Sequence, residues 1–168
     1  MAEHQPRGRR NNNPLNIRRS NIQWIGLSEW QKDSQFCQFR ALRWGIRAAA
    51  VILRTYIKKY RCDTIAKIIT RFAPATENNT EAYISRVSDL TGIDRHKKLK
   101  FSDKTSICSI LQAMSVVELG GRYITYTDVE TGYGLANAEN PYWTNKGTHE
   151  NPRSFGRYGR FPLSVLSY

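Results

Sequence analysis

Residues 101–121 read FSDKTSICSILQAMSVVELGG, a pattern that predicts one amphipathic helix. Ser102 or Asp103 can cap the start of this helix, and the pair Gly120-Gly121 can end it. Between these ends the apolar residues recur at the three- and four-residue spacing of a helix: Ile107, Ile110, Leu111, Met114 and Val117. We expect the rest of the fold to be organised around this segment.

Glu118 is a carboxylate on the apolar face of this predicted helix, because it follows Met114 by four residues and Leu111 by seven. It also lies in the last turn, where the helix dipole disfavours negative charge. Burial and the dipole both act to raise the pKa of Glu118. A carboxyl that stays protonated near neutral pH suits a general acid for glycoside cleavage. A partly exposed glutamate at a fraying helix end explains the same spacing.

Composition limits the classes of protein that fit. The 168 residues suit one domain with a hydrophobic core, and 26 Lys+Arg against 14 Asp+Glu give a net charge of +12. Such a surface is attracted to nucleic acid, an anionic membrane or a bacterial wall. No apolar run is long enough to span a membrane, and the N-terminus lacks the apolar core of a signal peptide. We therefore expect synthesis in the cytosol, with three reduced cysteines and no metal or organic cofactor.

The predicted fold is mainly α, with a small antiparallel β element near residues 15–40. Segments 24–26 and 36–39 resemble short strands, the second with period-two alternation. Four further helices are expected at residues 41–60, 64–73, 80–91 and within 123–135. The predicted domain covers residues 12–136, between a disordered basic arm at residues 1–11 and an extended or disordered tail at residues 137–168.

Several polar and aromatic residues are candidates for supporting roles. Asn16 and Trp24 suit a sugar ring, although Trp24 is equally explained as a core residue. Asp33 and Asp128 are carboxylates without a distinguishing pattern, and Glu77 is best explained by hydrogen bonds within its loop. A run of basic residues on the 41–60 helix and just after it could contact phosphates or form a solvated face: Arg43, Arg47, Arg54, Lys58 and Arg61.

The order of motifs resembles phage-encoded, virion-associated murein hydrolases with a lysozyme-like fold, over about residues 12–135. The matching segments are NPLNIR, a following W-x-G, an F-x-x-F segment, GIRA at the start of a long helix, IITRFAP, ENNTEAYISRV and VVELGG. In similar glucosaminidases a helix ending in Glu-Ser-Gly precedes the NPLNIR-like segment, whereas here the acid helix follows it. A circularly permuted lysozyme-like domain would explain this order. Leu119 departs from the family, which has a small polar residue after the acid.

The resemblance implies that Glu118 is the catalytic acid and that Tyr83 is the tyrosine beside it. It further implies that Asn16, Ile17 and Arg18 line the substrate groove. A single acid suits a lytic transglycosylase that acts on peptidoglycan, with hydrolysis by water as an alternative. The other class is a non-enzymatic virion or nucleic-acid-binding protein that keeps the fold and the charge. Nucleic acid is therefore a possible partner but not the favoured one, and other virion proteins are possible partners too.

Overall fold

The computed structural model describes residues 4–138, in which it places six α-helices. Residues 1–3 and nearly all of the predicted tail, from 139 onward, lie outside the described residues. The helices are α1 (Arg7–Arg10), α2 (Leu42–Lys59), α3 (Ile65–Phe72), α4 (Thr80–Thr91), α5 (Lys104–Leu119) and α6 (Tyr126–Asn137). The prediction of a mainly helical fold is confirmed.

Helix α2 is central to the hydrophobic core. It packs along α6 and also contacts α3 and α5, and its residues Ala48, Ile52 and Leu53 are fully buried. Gly45 permits a close approach of the N-terminal segment, because a Cβ there would lie 1.8 Å from the backbone oxygen of Asn12. The N-terminal segment is therefore held directly against the first turns of α2.

The helix that contains Glu118 has the ends expected from its sequence. The side chain of Asp103 accepts a hydrogen bond from the backbone N–H of Ser106, which caps the start of α5. Gly120 ends the helix in the left-handed conformation with φ of 71°, where a residue with a Cβ would be strained. Helix α5 packs against α4 on one side and α6 on another.

The expected antiparallel β element is wrong. Within residues 4–138 the only β pairing is two isolated antiparallel bridges, Arg18 with Phe36 and Leu27 with Phe39. A few backbone hydrogen bonds join these segments, such as Cys37 N–H to Ile17 O at 2.9 Å, and side chains satisfy further backbone groups. The Asn13 amide nitrogen, for example, donates to the backbone oxygens of Ile17 and Cys37, both at 2.9 Å. Such bonds offer the backbone an alternative to a strand ladder.

The structure also differs from the expected disordered arm at residues 1–11. Arg7–Arg10 form helix α1, and the Arg7 guanidinium binds the Asp33 carboxylate at 2.6 Å and stacks over the ring of Phe36. Gly8 is buried and would clash with Asn16 and Leu119 if it carried a Cβ. These contacts come from residues distant in sequence, which is why composition alone suggested disorder.

The arginine run predicted on α2 does not form a continuous surface. Arg47 is buried, at 4% exposure, and Arg54 donates a hydrogen bond to the backbone oxygen of Ala136 at the end of α6. Two of its five basic side chains are therefore used inside the fold. No helix within residues 4–138 combines the length and the apolar character that crossing a membrane would require.

Candidate active site

Glu118 lies in the last turn of α5, partly buried, with both carboxyl oxygens in hydrogen bonds. The Tyr83 hydroxyl donates to Oε1 at 3.1 Å, and the Asn16 amide nitrogen donates to Oε2 at 3.1 Å. The same amide nitrogen lies 3.4 Å from the backbone oxygen of Glu118. The carboxyl is therefore oriented by two side chains from opposite parts of the sequence.

The protonation of Glu118 reflects two opposing effects. Burial raises its pKa to about 7 from an ordinary value of 4.5, because the charged form loses hydration. The hydrogen bonds from Asn16 and Tyr83 act in the opposite direction, since they stabilise the carboxylate. A carboxyl with a pKa near 7 is populated in both forms at neutral pH. It can give up a proton and take one back, as a general acid–base catalyst must.

Tyr83 is held in place by the packing of α4. Its ring is 7% exposed and packs edge-on against Phe72 of α3, with ring centroids 6.5 Å apart. Asn79 caps the start of α4, because its side chain accepts a hydrogen bond from the backbone N–H of Ala82. The hydroxyl of Tyr83 also lies 3.5 Å from the backbone oxygen of Met114. The hydroxyl group is thus fixed between two sites on α5.

Asn16 reaches Glu118 from a tight turn in the N-terminal segment. Its φ is 51°, in the left-handed region that asparagine tolerates better than most residues. Its backbone N–H donates to the backbone oxygen of Asn13 at 3.0 Å. The buried side chain of Asn13 in turn donates to the backbone oxygen of Ile17 and accepts from the backbone N–H of Ile17. This turn aims the Asn16 side chain at the end of α5.

The three residues meet at a groove of about 540 Å³. Its lining consists of Asn16, Asn78, Asn79, Ala82, Tyr83, Arg86, Val117 and Glu118. The structure therefore brings together three of the residues singled out from the sequence: Glu118, Tyr83 and Asn16. It is an open site at the meeting point of α4, α5 and the N-terminal segment.

The other predicted substrate-binding residues lie elsewhere. Ile17 and Trp24 are core residues, 1% and 4% exposed, and Arg18 is absent from the groove lining and lies near the ring of Phe36. For Trp24 the core explanation applies. Alternation around the turn explains the difference: Asn16 points to the groove, so its neighbour Ile17 points to the core.

Arg86, Asn78 and Asn79 also line the groove, and the sequence reasoning did not single them out as binding residues. A signal for Arg86 was present, because it follows Tyr83 by three residues and so shares its helix face. The two asparagines precede the same helix. Helix-face reasoning applied from Tyr83, rather than from Glu118, would have identified Arg86.

The candidate second carboxylates, Asp33 and Asp128, have structural roles. Asp33 binds Arg7 and the amide of Asn11, and these hydrogen bonds hold the pKa of Asp33 well below its usual range. Asp128 completes the capping box of α6 with Thr125. Glu77 is exposed and does not line the groove. Among the described residues, Glu118 is the only carboxylate in the groove lining.

Comparison with known proteins gives one clear relative. The chain is 44% identical over 130 residues to protein P5 of Pseudoalteromonas phage PM2. The match covers 76% of this chain and 79% of the relative. The chain belongs to the family of this phage protein. No family model matches the chain.

This relative supports the phage part of the resemblance seen in the sequence. The name protein P5 describes no activity, so it does not bear on murein cleavage. The groove must therefore be interpreted from its own chemistry.

Proposed function

We propose that this protein is a phage enzyme that cleaves the glycan strand of peptidoglycan, with Glu118 as its single general acid–base residue. The observation that carries the proposal is the carboxyl of Glu118. It opens into a groove, has a pKa raised to about 7, and is held by Tyr83 and Asn16. The proposed site of action is the bacterial wall, with delivery as part of a phage particle.

In the first step, protonated Glu118 gives its proton to the glycosidic oxygen, and the bond from this oxygen to the anomeric carbon breaks. The N-acetyl oxygen of the substrate assists by bonding to the anomeric carbon. Tyr83 and Asn16 keep the carboxyl oriented and stabilise the carboxylate that remains, because both donate hydrogen bonds to its oxygens. The leaving sugar departs as a neutral alcohol.

In the second step, the Glu118 carboxylate takes the proton of the 6-hydroxyl of the muramoyl residue. That oxygen attacks the anomeric carbon, displaces the N-acetyl oxygen and closes an anhydro ring, and Glu118 returns to its protonated form. The groove supports this route over a two-carboxylate hydrolysis, because Glu118 is the only carboxylate in its lining among the described residues. Attack by water in place of the 6-hydroxyl would give plain hydrolysis.

Arg86 supports an anionic glycan as the substrate. It is exposed in the same groove as Glu118 and has no carboxylate partner within 4.0 Å among the described residues. A guanidinium in this position suits a carboxylate of the muramoyl residue or its peptide. The amides of Asn78 and Asn79 suit the sugar's hydroxyl and acetamido groups. The net charge of +12 further favours an anionic wall.

The test is mass spectrometry of the products released from purified murein by the wild-type protein. A transglycosylase releases anhydromuramoyl products, each lighter by one water than the product of hydrolysis. Release of reducing-end muramoyl products would keep Glu118 as the acid but replace the 6-hydroxyl with water. Absence of any product from murein of several wall chemistries would contradict the enzyme proposal.

A second candidate is a non-enzymatic phage protein, either a virion structural component or a nucleic-acid-binding protein. The relationship to a phage protein favours it, because this relationship carries no implication of catalysis. The strongly basic composition is the second supporting observation. Murein zymography distinguishes the two candidates, because only the enzyme clears murein in the gel.

A further inference from the structure

A second groove, of about 650 Å³, lies along α3 and the segment that precedes α5. We call it the basic groove, and its lining includes Cys62, Ala66, Lys67, Arg71, His96 and Lys98. It shares no lining residue with the groove of Glu118. The two grooves are therefore separate candidate binding sites.

The basic groove has more positive than negative charge in its wall. Lys67 and Lys98 both approach the carboxylate of Asp63, at 3.4 and 3.0 Å, so one acid is shared by two ammonium groups. Both lysines are exposed, at 52% and 70% of the side-chain surface. Their remaining N–H donors can therefore reach a ligand in the groove.

Arg71 adds a third cation with a different environment. Its guanidinium carbon lies 3.7 Å from the ring centroid of Tyr60 and 5.2 Å from that of Tyr56. Among the described residues it has no carboxylate within 4.0 Å. Aromatic rings hold this guanidinium in place without neutralising it.

More basic residues flank the lining residues along the chain. Further basic residues adjoin the groove in sequence and are exposed: Lys58, Lys59, Arg61, Lys97 and Lys100. The lining itself also contains uncharged side chains, Cys62 and Ala66. The groove therefore combines uncharged lining side chains, which we call its floor, with exposed cations in and beside the lining, which we call its rim.

We propose that the basic groove binds single-stranded nucleic acid. The exposed lysines suit successive phosphates, and the less polar floor with the stacked Arg71 suits the face of a base. An extended rim of like charge favours a polymer over a single small anion, because several phosphates can be neutralised at once.

The proposal is tested by fluorescence anisotropy with a labelled oligothymidylate at several salt concentrations. The triple variant K67Q/R71Q/K98Q should bind about tenfold or more weakly at low salt, and the slope of log affinity against log salt should fall by about 2. A matched control, K32Q/R40Q/R43Q, removes the same charge from exposed residues outside the groove and should change affinity less than about twofold.

Two further measurements make the result specific. The double variant K67Q/K98Q retains the Arg71 stack, so it should keep the wild-type melting temperature and still lose affinity. Inorganic polyphosphate of equal charge should compete less well than unlabelled oligothymidylate, because it has no bases. The proposal is overturned if wild type does not bind, if the two triple variants weaken binding equally, or if polyphosphate competes as well.

Discussion

At the scale of a single residue, Glu118 combines a stability cost with a proposed catalytic use. Its position four residues after Met114 was enough to predict a raised pKa, because helix spacing places it on the apolar face. The hydrogen bonds that hold it could not be deduced in the same way. Asn16 is separated from Glu118 by 102 positions and Tyr83 by 35. For Tyr83, the family resemblance supplied what spacing could not.

The raised pKa predicts a pH-dependent effect of Glu118→Gln on stability. Between its ordinary pKa of 4.5 and about 7, the folded state binds more protons at this position than the unfolded state. The contribution of Glu118 to the free energy of unfolding therefore falls as pH rises through this range and stays low above it. Gln does not titrate. The free energy of unfolding of the variant minus that of wild type should therefore be roughly 2–3 kcal/mol larger at pH 8 than at pH 4.

Urea unfolding of the two proteins at both pH values measures this difference. A gap between variant and wild type that does not change with pH would mean that Glu118 does not titrate differently in the folded state.

Tyr83→Phe should reduce activity less than Glu118→Gln, because the tyrosine orients the carboxyl and does not transfer the proton. The lost hydrogen bond had lowered the pKa of Glu118. The variant should therefore keep protonated Glu118 to higher pH, and its activity should decline at higher pH than that of wild type.

A pH profile of wall lysis for both proteins provides the measurement. An unchanged profile would contradict the claim that the Tyr83 hydroxyl stabilises the Glu118 carboxylate. Phe72→Leu, which alters the ring that Tyr83 packs against but keeps the hydroxyl, serves as the control for a packing effect.

At the scale of the helices, the boundaries followed the sequence where local signals were strong. The caps of α5 at Asp103 and Gly120 are both recognisable from residue type. The β element was wrong because period-two alternation in segment 36–39 arises from an irregular segment held by side-chain hydrogen bonds. Local patterns did not identify α1 either, since its stability depends on Asp33 and on burial of Gly8.

We expect the contact between α2 and the N-terminal segment to determine where Asn16 lies relative to Glu118. Gly45→Ala places a Cβ 1.8 Å from the backbone oxygen of Asn12, so the segment must move. We expect a loss of roughly 1–3 kcal/mol in the free energy of unfolding. Activity should also fall, because Asn16 is displaced from Glu118.

Gly134→Ala in α6 is the matched control. Among the described residues, no atom outside the surrounding turns of α6 lies within 4 Å of a Cβ at this position, so alanine should be neutral or stabilising by up to about 1 kcal/mol. Thermal melts and wall-lysis assays of both variants measure the effect. Equal stability and activity of Gly45→Ala and wild type would show that the N-terminal segment can shift without affecting the site.

At the scale of the whole molecule, the groove forms where distant parts of the chain meet. The end of α5, the start of α4 and the turn at Asn16 each contribute to its lining. The helical class and the position of Glu118 at the end of a helix followed from residue patterns. The groove itself did not, because its shape depends on how α4 packs on α5 and on where the N-terminal segment lies. Neither this packing nor the position of the N-terminal segment can be deduced from the local spacing of apolar residues.

The distribution of charge is also a property of the whole molecule. The net charge of +12 indicated a polyanionic partner but not a location. The expected arginine run on α2 is partly buried, whereas the basic groove draws its cations from α3 and from the segment before α5. A charge count therefore predicted a class of partner, and the packing shows where the exposed cations lie together.

The central claim is that Glu118 supplies the proton for cleavage of the glycan strand. The most direct measurement is the rate of turbidity loss of purified bacterial walls with wild type and Glu118→Gln, together with their melting temperatures. Gln keeps the size of the side chain but cannot supply a proton. The variant should therefore lose about 10²–10⁴-fold in rate while it melts at or above the wild-type temperature. A folded Gln variant with wild-type activity would contradict the claim.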